Sequence, residues 1–114
     1  MASFTAEELL PHLQRRIETA QHILDTFEAD FKKDPVRALV WSQDTFVAAA
    51  RLQVNSEVLK HLAEGCSLEN LRKTVTQYAL AGAKFPKFST SPCTNLMEAY
   101  RTAAYAEITE DLGC

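Results

Sequence analysis

The chain has 114 residues, 46% apolar and 24% charged, with a formal net charge of −3 and a pI near 5.6. This balance fits one folded domain over 1–114 and excludes a disordered chain. The acidic balance argues against a general nucleic-acid binder, whose affinity comes from neutralising phosphates with Lys and Arg. Only three Gly among abundant Ala, Leu and Glu lack the turn chemistry of a many-stranded sheet, so an all-α class is predicted.

The first helix is predicted over 5–32. Thr5 and Glu8 form a capping box, and Phe4 and Leu9 are placed as a hydrophobic staple. Leu10, Leu13, Ile17, Ala20, Leu24, Phe27 and Phe31 then follow steps of three and four, the seam of helices packed nearly side by side. Pro11 lacks a backbone donor, so it either kinks this helix or marks its true first residue.

Lys32 and Lys33 suit a helix C-terminus, Asp34 a cap, and Pro35 the first position of a second helix over 35–64. Its stripe is Val36, Leu39, Val40, Phe46, Val47, Ala50, Val54, Val58 and Leu62, with a candidate break near Asn55. Trp41 and Leu52 fall off this stripe, which widens the apolar arc. That width suggests more than one neighbour, including a second copy of the chain. Gly65 supplies the left-handed closing residue.

Ser67 caps a third helix over 67–82 with Leu68, Leu71, Val75, Tyr78 and Ala79 on one face, fading at Gly82. A fourth helix over 92–112 starts at Ser91 and Pro92 and carries Leu96, Tyr100, Ala103, Ala104, Glu107, Ile108 and Leu112. Four helices with brief early connections predict an antiparallel bundle.

Charge is unevenly spread. Residues 1–34 hold seven acidic and four basic groups, and 93–114 hold four acidic groups against Arg101. Residues 65–92 hold Arg72, Lys73, Lys84 and Lys87 against Glu69. The basic stretch overlaps "KFPKFSTSPCTN", residues 84–95, whose Phe85 and Phe88 no helical stripe explains. These two rings either plug the end of the bundle or anchor an interface. Phe85, Lys87, Phe88, Lys84, Arg72 and Lys73 are therefore the candidate partner-binding residues.

Three other chemistries fit the sequence less well. Residues 56–80 have the outline of a helix-turn-helix DNA-binding regulator, with Arg72 and Lys73 on its second helix, but the preceding helix is long and the flanks are acidic. Glu8–His12, Glu18–His22 and Glu57–His61 each share a helix face, the raw material of a metal-dependent bundle enzyme. Their spacing of four nonetheless suits surface pairs better than a ferritin-like Glu-x-x-His. No nucleophile elbow or glycine cradle is present, and Cys66, Cys93 and Cys114 form no C-x-x-C pair.

The start of the chain resembles no signal peptide and no run of 18 apolar residues occurs, so a cytoplasmic protein without a membrane partner is expected. The sequence thus predicts a non-enzymatic helical protein without a metal or other cofactor. Its expected role is to bind, inhibit or regulate another protein or complex, with a homodimer as a further option.

Overall fold

The computed structural model describes residues 4–40, 42–84 and 92–113, with side chains for all of these except 6, 81–84 and 92–95. Five helices run through them: α1 (Ala6–Lys33), α2 (Pro35–Val40), α3 (Gln43–Ala63), α4 (Leu68–Lys84) and α5 (Pro92–Asp111). The all-α bundle expected from composition is observed, with four long helices and one short one.

Local signals account for most boundaries. Glu8 N–H donates to Thr5 Oγ1 (3.3 Å) while Thr5 N–H donates to Glu8 Oε1 (3.3 Å), closing the capping box that starts α1. Pro11 therefore sits inside α1, not at its start. The missing bond falls at an exposed position, where water can reach the orphaned Glu7 carbonyl.

Asp34 serves two helices: its N–H donates to Asp30 O (2.9 Å), closing α1, and its Oδ1 accepts from Arg37 N–H (3.2 Å), capping α2. Cys66 N–H donates to His61 O (3.0 Å) and Gly65 N–H to Leu62 O (3.1 Å), a closure that needs the left-handed φ of +89° at Gly65. Ser67 Oγ then accepts from Asn70 N–H (3.2 Å) to open α4.

Three expectations are corrected. The single helix over 35–64 is two helices, parted at Ser42, while Asn55 lies unbroken within α3. Asn55 tolerates the helix interior because its Nδ2 donates to Arg51 O (2.7 Å), a bond back along its own helix. α4 passes through Gly82 and ends at Lys84, since one glycine costs a helix only about 1 kcal/mol.

The helices form two antiparallel pairs, α1 with α3 and α4 with α5, joined mainly by packing of α3 on α5. Arg16 in the first half of α1 reaches Asn55 in the second half of α3, and Tyr78 packs on Tyr105 (5.2 Å between ring centroids) while Arg72 meets the end of α5. The shared core is Leu9, Leu13, Val54, Val58, Leu71, Val75, Ala104, Tyr105, Ile108 and Leu112. It gathers the early part of α1, the late part of α3, the early part of α4 and the late part of α5. A radius of gyration of 15.4 Å exceeds the about 13 Å of a compact domain this size, as expected when the pairs share a core at one end. At the other end of the α1–α3 pair, the chain turns back only through α2.

The seam on α1 is also shifted. Leu9 and Leu13 are fully buried whereas Leu10 is 39% exposed, so the buried series runs Leu9, Leu13, Arg16, Ala20. An arginine occupies one step of it.

Tyr105 closes the core with a polar tip. Its hydroxyl donates to Glu57 Oε2 (2.9 Å). Burial pushes the phenol above its ordinary 10.0, the bond to Glu57 adds to this, and Arg101 opposes it. Since the folded state holds this proton more tightly, the contribution is complete below pH 10 and is lost as pH rises through the folded pKa. Tyr105→Phe should cost about 1 kcal/mol at neutral pH. In urea melts, the gap between wild type and variant should narrow above the phenol range; an unchanged gap would contradict this.

Candidate functional site

The residues singled out in sequence do not assemble into one described surface. Phe85, Lys87 and Phe88, and the side chain of Lys84, lie outside the described residues. Arg72 is committed inward, its Nε donating to Leu112 O at the end of α5 (2.9 Å). Lys73 lies on the surface 3.9 Å from Glu69 of its own helix. Both border a shallow depression with Thr76, Gln77 and Leu80. α3 and α4 are joined by a short turn, but of the two α4 cations expected to face a groove, Arg72 is tied to the end of α5 and Lys73 lies beside a carboxylate.

The histidine pairs are also redirected. Glu8 is held by Thr5, and His12 instead stacks on Phe4 (4.4 Å between ring centroids). Glu57 accepts from Tyr105, while His22 and His61 are exposed. Among the described residues, no group of three or more His, Cys, Asp or Glu is placed to hold a metal ion.

A polar cluster that sequence reasoning missed joins α1, α3 and α5. Arg16 forks onto Asp111, Nη1 to Oδ2 at 2.8 Å and Nη2 to Oδ1 at 3.4 Å, and Nη1 also donates to Asn55 Oδ1 (3.3 Å). His12 Nε2 lies 3.0 Å from Arg16 Nη2. Arginine has no acceptor, so this contact needs Nε2 to accept, with the imidazole proton on Nδ1. In that form the 3.4 Å approach of His12 to Asp111 is proximity and not an ion pair.

One layer along, Arg51 forks onto Glu107 (3.1 and 3.0 Å). Both carboxylates are occupied by guanidinium forks, an arrangement suited to holding helices in register. The available signal was the three-four spacing of Leu9, Leu13, Arg16 and Ala20, legible only if an arginine is allowed in a seam.

The feature without an internal explanation is α2. Val36, Leu39 and Val40 stand at i, i+3 and i+4 on one face and are 73%, 56% and 70% exposed, while Ala38 on the opposite side is buried. Phe31, at the end of α1, is a further exposed apolar side chain. Beneath α2, an open groove of about 710 Å³ is lined by Phe27, Asp30, Asp34, Arg37 and Asp44 among others. Sequence periodicity marked Val36, Leu39 and Val40 as apolar stripe residues facing a core. The parting at Ser42 frees this short stripe from the phase of α3, and it faces outward.

No helix among the described residues is long and apolar enough to cross a membrane. Among known proteins, no family model matches the chain, no curated protein is significantly similar to it, and no solved structure matches it significantly. No residue roles can therefore be carried over from a relative.

Proposed function

We propose that this chain is a non-enzymatic, cytoplasmic helical protein that works by binding another protein chain, in an inhibitory or regulatory role. Its contact surface is the outer face of α2. One observation carries this: in a helix of six residues the three largest aliphatic side chains face solvent together. Six residues are too few to be helical unaided, so α2 depends on packing. Within the chain, Ala38 is its one buried side chain. Closing a row of aliphatic side chains against a partner removes apolar surface from water, which is how small interfaces acquire their energetic centre.

The basic residues of α4 support this role less well, because Arg72 and Lys73 already have contacts within the chain. The same contacts weaken the DNA-binding alternative. A photo-crosslinking amino acid at Leu39, introduced in the native cells, should give a discrete adduct whose partner peptide mass spectrometry identifies. The adduct should disappear when Val36 and Val40 are changed to Gln. Absence of any adduct from Leu39, with a probe at buried Leu13 as the internal control, would overturn the proposal.

A further inference from the structure

Independently of the α2 face, we infer that a cleft between α1 and α3, beside the Arg16 cluster, is a binding site for a small monocarboxylate with a short apolar tail. The cleft has a volume of about 230 Å³. Ala20 of α1 and Ala48 of α3 both line it and are buried, and their short side chains leave the space that longer ones would fill. Ile23 extends this apolar floor and is itself partly exposed. On α1, His12, Arg15, Arg16 and Thr19 recur at steps of three and four, so one face of that helix supplies most of the polar wall, and Arg51 of α3 completes it.

The wall is built of donors whose positions are partly fixed. Arg16 is fully engaged at its tip: Nη1 donates to Asp111 and Asn55, and Nη2 to Asp111 and to His12 Nε2. Arg51 holds Glu107 through Nε and Nη2, which leaves Nη1 with no partner among the described residues. Thr19 donates its hydroxyl to Arg15 O (2.9 Å). The Arg15 guanidinium is in no ion pair among the described residues, and none of the residues lining the cleft is a carboxylate.

Charge and size select the ligand. Arg16 cancels against Asp111 and Arg51 against Glu107, while His12 is neutral when it accepts from Arg16, so Arg15 carries the one uncompensated charge of the wall. One negative charge on the ligand answers it. A phosphate monoester brings close to two, the second without a matching cation. A carboxylate carries one, and its two oxygens match the planar fork of a guanidinium, with Arg51 Nη1 as a further donor on the same wall. The cleft is smaller than the roughly 300–1,000 Å³ of sites for drug-sized ligands, so the body of the acid is a few carbons resting on Ala20, Ile23 and Ala48.

An NMR titration of the whole chain with isovalerate, at constant ionic strength, tests this. The Ala20, Ile23 and Ala48 methyl signals and the Arg15 and Arg51 Nε–H signals should shift saturably, with a Kd below about 10 mM. Arg15→Gln should weaken binding at least about tenfold and leave the urea melt unchanged, because that guanidinium pairs with nothing in the chain. Arg37→Gln removes the same charge elsewhere and should leave binding as it is. Neutral 3-methylbutanol and inorganic phosphate should each bind at least about tenfold more weakly than isovalerate, the first lacking the charge and the second the tail.

A Kd above about 10 mM, or shifts confined to other residues, would overturn the site. Equal losses in the Arg15 and Arg37 variants would reduce the effect to general charge and overturn it too. Tighter binding of phosphate than of isovalerate, or equal binding of the alcohol, would overturn the assignment to a monocarboxylate.

Discussion

Leu13→Ala is expected to lower the free energy of unfolding by about 3 kcal/mol, the size of effect that a cavity in a well-packed core produces. Leu13 is fully buried in the cluster where α1, α3, α4 and α5 meet, so the space left by its side chain is walled by residues from other helices and cannot easily collapse. The neighbouring test is Leu10→Ala, expected to cost less than about 1 kcal/mol because much of that side chain already touches water. Paired urea melts with unchanged slopes would read both values. Equal losses at the two positions would place the seam one residue away from where the structure has it.

Asp111→Ala is expected to cost about 2 to 3 kcal/mol. The Arg16 and Asp111 side chains are only 19% and 13% exposed, and removing the carboxylate leaves a largely enclosed guanidinium with Asn55 and His12 as its remaining neighbours. That is less than the 3 to 5 kcal/mol typical of a fully buried broken pair, since water still reaches the cluster. Arg16→Ala should cost a similar amount, and the double variant clearly less than the sum, because either single change already breaks the fork. Arg16→Met with Asp111→Leu should recover most of the loss by substituting apolar contact for the ion pair. Additive single losses would mean that the two side chains are not coupled.

Sequence and structure agree wherever the signal is local. The Thr5–Glu8 box, the Asp34–Pro35 restart, Gly65 and Ser67 each satisfy orphaned backbone groups within a few residues, so their meaning does not depend on the rest of the fold. Where reasoning from sequence failed, the deciding partner was distant. Arg16 belongs to the buried series only because Asp111, near the end of the chain, answers its charge. Asn55 resembled a helix breaker because its bonds to Arg16 and to the Arg51 carbonyl are invisible without the packing.

The candidate site divides in the same way. Basic residues clustered along the chain suggested a surface, yet Arg72 points to a carbonyl of α5. The aliphatic residues of α2 were legible as a stripe but not in their direction. Periodicity identifies a face, and only tertiary packing says what that face meets. Ser42, the residue before α3, interrupts an apolar pattern that otherwise continues from Val36 to Leu62, and it does so without a side-chain cap that the sequence could have flagged.

The outward face of α2 as a surface for another protein chain is tested most directly by methyl NMR of this chain titrated with the partner that the Leu39 probe captures. The Val36, Leu39 and Val40 methyl signals should shift as the partner is added, while those of Leu9, Leu13 and Ile108 stay fixed. Unchanged α2 methyls, or shifts confined to another surface, would contradict it.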